Sequence, residues 1–152
     1  MTSDSNARRD IEEDEEFWNR WRSNTYEPKL VKPMKKPLTA RWDLAVSDSD
    51  VEKLKAGFRP RNFDDKYAWL LEDKNGSISI HIIRHFVEEE EYILHIAPRS
   101  SNDNSASAKI YSITWDGELI DIQDDVEKAK KRVVILARVI PNCDFENAPG
   151  AV

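Results

Sequence analysis

Residues 67–86 read Tyr-Ala-Trp-Leu-Leu-Glu-Asp-Lys-Asn-Gly-Ser-Ile-Ser-Ile-His-Ile-Ile-Arg-His-Phe, and this stretch decides the fold. Asn75-Gly76 lies between two segments rich in β-branched and aromatic residues. A type I′ turn needs positive φ at both central positions, and Asn-Gly supplies it at the lowest cost, so the stretch predicts a β-hairpin. With a two-residue loop, Leu71 faces Ile80, Trp69 faces Ile82 and Tyr67 faces Arg84, which sets apolar against apolar. A third strand follows. If Glu88, Glu89 and Glu90 form a three-residue loop, Phe86 meets Tyr92, Arg84 meets Leu94 and Ile82 meets Ile96. Tyr67, Trp69, Leu71, Ile78, Ile80, Ile82, Phe86, Tyr92, Leu94 and Ile96 then share one face, because side chains alternate with a period of two. Ala68, Leu70, Glu72, Ser79, His81, Ile83, His85, Ile93, His95 and Ala97 take the other. That second face holds all three histidines, too apolar to stand in water and too polar for an ordinary core. Either another segment covers it, the Trp-bearing N-terminus being the nearest candidate, or a partner does.

Outward from the hairpin, Trp42, Leu44 and Val46 alternate in a short strand over 41–46. Ser47 or Asp48 can cap a helix whose stripe is Val51, Leu54 and Lys55, and Gly57 suits its left-handed stop. Downstream, residues 98–108 are small, polar and without period, as in a long loop. Tyr111, Ile113 and Trp115 predict a strand over 109–115, and Asp116-Gly117 turns it into a short strand over 118–122. Asp124 and Asp125 precede a helix in which Val126, Ala129, Val133, Ala137 and Ile140 recur at helical spacing until Pro141. The expected fold is α+β: a twisted antiparallel sheet of four to five strands, a short helix before the central hairpin, and a long C-terminal helix on one face.

Residues 38–142 therefore form the domain. Before it, residues 1–37 make an arm and a linker. Asp10 to Glu16 carries six carboxylates in seven residues, and Phe17, Trp18 and Trp21 follow. These aromatics with Ile11 can share one side of a helix, which docks on its own domain or folds in a partner's groove. Pro28, Pro33 and Pro37 among Lys29, Lys32, Lys35 and Lys36 read as an extended linker, and lack the PxxP spacing of an SH3 ligand. Residues 143–152 read as a flexible tail.

Composition narrows the function classes. The 152 residues carry a formal charge of −6, so nucleic acid is not an expected partner. A lone cysteine, Cys143, and the lack of a long apolar run lead us to expect a soluble cytoplasmic or nuclear protein, not a membrane protein. His81, His85 and His95 invite a metal reading. Along a strand, however, His81 and His85 stand about 13 Å apart, whereas two imidazole nitrogens on one zinc sit within about 4 Å. No metal or other cofactor is expected.

Arg84 is the oddity of the apolar face, since a buried guanidinium requires a carboxylate. Asp65 is the expected ion-pair partner; alternatively Asp64, Asp65, Lys66 and Arg84 hold an anionic ligand together. Asp64 and Asp65 could also act as a general base pair, but the sequence has no glycine-rich phosphate loop and no nucleophile beside a base. Nothing requires an enzyme.

Phe63-Asp64-Asp65-Lys66-Tyr67, followed by a hairpin whose second strand holds Arg84, resembles uncharacterised small α+β proteins of microbes, some encoded beside ADP-ribose-processing hydrolases. The likeness covers residues 56–86. Tyr67 stands where that pattern has a tryptophan, and Arg84-His85-Phe86 where it has Arg-Ser-Trp. The resemblance implies the α+β architecture and marks Asp64, Asp65, Lys66 and Arg84 as one unit; it implies no activity.

The expected function is a non-catalytic protein-interaction module docking through Trp18, Trp21, His81, His85 and His95. Another protein is the expected partner, with a homodimer also open. The alternative is a small ligand-binding or hydrolytic domain acting on a phosphate- or nucleotide-like anion at Asp64, Asp65, Lys66 and Arg84.

Overall fold

The computed structural model describes residues 24–61, 64–85, 87–97 and 108–148. Five strands form one antiparallel sheet in the order β1-β5-β4-β3-β2: β1 (Pro37–Val46), β2 (Tyr67–Lys74), β3 (Ser77–Arg84), β4 (Glu89–Ala97) and β5 (Ala108–Asp116). Two helices complete it, α1 (Asp48–Ala56) and α2 (Val126–Val139). The α+β class is as expected.

The Asn-Gly corner is built as its residues dictate. Asn75 and Gly76 have φ of 56° and 90°, and the Asp73 carboxylate accepts the Gly76 N–H at 2.9 Å. Tyr67 pairs with Arg84, Trp69 with Ile82 and Leu71 with Ile80. Trp69, Ile80, Ile82, Leu94 and Ile96 lie buried together with Ala129, Val133, Val134 and Ala137 of α2. Each large side chain removed from water contributes about 1.5–3 kcal/mol.

The third strand corrects the expected register. Ile82 faces Tyr92, not Ile96, and Arg84 faces Glu89, not Leu94. The chain turns earlier, over 85–88, with Glu88 at φ 59°. Because the slip along Ile78 to Ile82 is an even four residues, the described apolar residues keep their face; Phe86 lies outside the described residues. Between Ile82 and Ile83 the ladder shifts; Glu89 and Glu90 belong to the strand instead of the loop, and Glu90 and Glu91 are both buried. A second irregularity places Ile110 in the core with Ile113 and Trp115 and leaves Tyr111 exposed, so Tyr111 does not share their side as the strand's alternation led us to expect. The short strand expected over 118–122 is a series of turns. Leu119 donates to Asp116 O at 3.1 Å and Ile122 to Leu119 O at 3.0 Å, which coils the chain away from an extended path.

Caps and stops hold the helices in place. The Ser47 hydroxyl accepts the Asp50 N–H at 3.0 Å, a cap worth about 1 kcal/mol. Gly57 ends α1 at φ 66°, where an added Cβ would sit 2.3 Å from the Trp69 carbonyl oxygen, so both backbone angle and space demand glycine. The Asp125 carboxylate accepts from the Glu127 and Lys128 amides at the start of α2.

Two segments read as loosely attached are packed. In the expected linker, Val31 is buried with Ala68, Leu70 and Ile83, and Tyr26 packs against them. In the expected tail, Cys143, Phe145 and Ala148 are buried in the main core. The buried Asp50 carboxylate accepts the Asp144 and Phe145 amides at 2.9 and 2.8 Å, tying that segment to α1. No helix among the described residues is long and apolar enough to cross a membrane.

Candidate functional site

The histidine face begins with alternation along β3 and β4, which turns His81 and His95 away from the α2 side. Its cover comes from the chain just before β1. Residues 24–26 run beside Leu71 at the β2 edge, where Tyr26 N donates to Leu71 O at 2.8 Å. The segment then crosses the sheet. Lys32 N donates to Glu88 O at 2.7 Å, and Glu90 N to Lys32 O at 3.1 Å. Between these anchors the Tyr26 ring lies flat on His81, with centroids 3.5 Å apart and planes 7° from parallel.

Beneath Tyr26, His81 Nε2 meets Glu72 Oε1 at 3.0 Å, and His81 Nδ1 meets Glu90 Oε1. The bulge in β4 makes the second contact available: strict alternation would put Glu90 on the same side as Tyr92, and the extra residue turns it to His81. Two carboxylates facing one ring call for two protons shared among three groups. Burial alone would push the Glu72 carboxyl up, but the His81 hydrogen bond, the His81 charge and Lys74 together hold it below its usual range. Burial, with Glu90 and Glu72 nearby, pushes the Tyr26 hydroxyl up to about 12. His81 is thus buried beneath Tyr26 and between two carboxylates. Only Tyr26 and Val31, apolar breaks in a Pro/Lys segment, hinted at this cover.

His95 sits beside this cluster and is half-buried. Its Nε2 meets Thr114 Oγ1 at 2.8 Å and its Nδ1 meets Ser79 Oγ at 3.4 Å. Burial lowers its pKa, with the neighbouring His81 adding to the effect. A hydroxyl beside an imidazole is the pairing used in nucleophilic catalysis, yet among the described residues neither ring nitrogen meets a carboxylate that would orient it. His85 is buried at the opposite end of β3; burial lowers its pKa against the opposing influence of Lys66 and Asp65. His81 and His95 therefore share a neighbourhood that His85 does not. Among the described residues no group of three or more His, Cys, Asp or Glu could hold a metal ion.

Asp64, Asp65 and Lys66 do come together. They line a cleft of about 440 Å³ with Phe58, Arg61, Tyr67, Leu136, Val139 and Ile140. Arg84 is not in its lining. Its guanidinium, about half exposed, lies 4.0 Å from Glu91 on β4, so Glu91 and not Asp65 is the acid that meets it. Burial pushes the Glu91 carboxyl up, opposed by Arg84 and a hydrogen bond from Tyr67. The Asp65 carboxylate instead accepts the Arg61 N–H at 2.8 Å. Arg61 and Lys66 face two carboxylates, so the cleft has no net positive charge to attract an anion.

Beyond the cleft, α2 carries a second stripe that the core periodicity left aside. Ile135 and Val139 are 51% and 74% exposed, and Lys128, Lys131 and Arg132 continue the same side toward the N-terminus. With Asp121 and Ile122, residues 128, 131, 132 and 135 line a shallow groove of about 280 Å³. The signal was in the sequence: residues 128, 132, 135 and 139 repeat at helical spacing opposite the buried set. Trp18 and Trp21 lie outside the described residues. No protein-family model, curated protein or solved structure matches the chain.

Proposed function

We propose that this protein is a non-catalytic protein-interaction module whose docking surface is the outer side of α2 and the adjoining cleft. The observation that carries this reading is Val139, 74% exposed at the mouth of a cleft lined by Phe58, Tyr67, Leu136 and Ile140. Apolar side chains left in water beside a concave surface are what an amphipathic helix or strand covers on binding. Basic residues at the other end of the stripe select a partner whose apolar anchors are flanked by acids. The histidine face is the weaker surface, because Tyr26 and Val31 already occupy much of it. A single buried cysteine, its thiol pushed up to about 12 by burial, suits the cytoplasm or nucleus.

A photo-reactive side chain placed at position 139 tests the reading in cells. A discrete protein adduct that is absent when the probe stands at Lys109, on the exposed side of β5, supports it. Identical adduct patterns from both positions overturn it.

The ligand-binding alternative draws on the convergence of Asp64, Asp65 and Lys66 in one cleft. It predicts that millimolar phosphate or a nucleoside diphosphate raises the melting temperature of the full chain, and that Lys66→Ala abolishes the rise. The balanced charge of the lining argues for no shift.

A further inference from the structure

The chain enters the described region at Asn24, whose side-chain amide donates to the Lys55 and Ala56 carbonyls at 2.6 and 2.8 Å. Asn24 Cβ would lie 3.3 Å from a Cβ added at Gly57, and Phe58, the next residue, lines the cleft beside α2. Residues just before Asn24 therefore start next to that cleft. Part of their expected seat, the histidine face, is taken by residues 24–33, with Tyr26 on His81 and Val31 against Ala68, Leu70 and Ile83. We propose that the N-terminal arm, residues 10–22, seats along the outer stripe of α2 in the same chain.

The order of chemistry along the two segments matches. Moving away from Asn24, the arm presents Trp21, Trp18 and Phe17, then six carboxylates between Asp10 and Glu16. From the same starting point the surface presents Phe58, Leu136, Ile140 and Val139, then Ile135, then Arg132, Lys131 and Lys128. Aromatics meet the apolar end and acids meet the basic end. The lengths agree as well. Asp10 to Trp21 and Lys128 to Val139 are each twelve residues, and the latter runs about 16 Å along α2.

Lys128, Lys131 and Arg132 form no ion pair among the described residues, whereas the neighbouring Lys130 lies 3.8 Å from Glu127. The acidic run supplies counter-charges to Lys128 and Lys131, Arg132 already having Glu91 within electrostatic reach, in a chain whose net charge is −6. The arm is then a built-in competitor for the docking surface, and a partner must displace it. That regulatory meaning rests on the interaction reading given above. The position of the arm does not.

Disulfide trapping in the full chain tests the seat without any partner. Asn19→Cys is combined with Ile135→Cys, which spares Trp18, Trp21 and Val139; the control combines Asn19→Cys with Lys109→Cys. The expected result is a link within one chain, formed at least tenfold faster than in the control. Adding Lys128→Glu, Lys131→Glu and Arg132→Glu, all at exposed sites, should slow it severalfold while the melting temperature holds. A link between two chains would overturn the proposal in favour of a second copy as occupant, and a rate equal to the control would overturn it outright. Photo-adducts at 139 without the disulfide defeat the arm alone; the disulfide without adducts defeats the partner alone.

Discussion

Tyr26 is stacked on His81, ring over ring at 3.5 Å, although 55 residues separate them and the former lies in a segment of prolines and lysines. This contact covers His81 and helps hold the chain that crosses the polar face. Tyr26→Ala should therefore destabilise the fold by about 2 kcal/mol, from lost apolar area and the aromatic pairing. Tyr26→Phe keeps the ring and should cost under about 1 kcal/mol. Urea unfolding of the two variants measures the difference; equal losses would mean that the hydroxyl, not the stack, holds the segment.

Glu90 depends on the bulge to reach His81. Glu90→Ala leaves a buried ring nitrogen without its acceptor and should cost about 2–3 kcal/mol. In the background of His81→Leu the same substitution should cost much less, because the group it serves has gone. A double-mutant cycle with no coupling would show the contact to be idle.

Asp50 is buried on α1 and binds two amides of the C-terminal segment. Asp50→Ala removes both acceptors and should destabilise by about 2–4 kcal/mol, since hydrogen bonds to a charged group contribute about 1.5–3 kcal/mol. It should also release Cys143, whose thiol lies against the Asp50 carbonyl. Faster thiol labelling at neutral pH is the readout; unchanged labelling would place the clamp elsewhere.

Acid should weaken this protein before carboxylates titrate. His85 and His95 both have folded pKa values below the ordinary 6.5, chiefly through burial. The unfolded chain therefore binds more protons than the folded one just below pH 6.5, and stability falls as pH drops through that window. His95→Gln should flatten the slope between pH 6.5 and 5. Glu72 has the same sign lower down, its folded pKa lying under 4.5, so its contribution is present above pH 4.5 and lost beneath it. Glu91 is opposite. Its raised pKa means stability is lost as pH rises from 4.5 through the folded value, so Glu91→Gln should gain stability at pH 7 relative to pH 4.

Arg84→Ala should change stability by no more than about 1 kcal/mol, because a half-exposed ion pair at 4.0 Å is weak. Phosphate should not alter its melting temperature relative to wild type. A larger loss, or one relieved by phosphate, would restore Arg84 to an anion site.

Much of the architecture is legible in residues that act on their neighbours in sequence. Asn75-Gly76 determines the corner because few residue pairs accept positive φ twice. Alternation then places Trp69, Ile82 and Leu94 on one side and His81 on the other, whatever the exact pairing, since an even slip preserves faces. Ser47, Gly57 and Asp125 mark helix ends through bonds reaching two to four residues. Tertiary structure alone decided where the charged residues went. Glu90 looked like loop because a carboxylate prefers water; it is a strand residue because His81 receives it, while Glu91 beside it meets Tyr67 and Arg84. Phe145 looked like tail because the acceptor of its amide, Asp50, lies 95 residues away. A local pattern states what a backbone can do, whereas burying a charge or a chain end depends on a distant partner that no window of sequence contains.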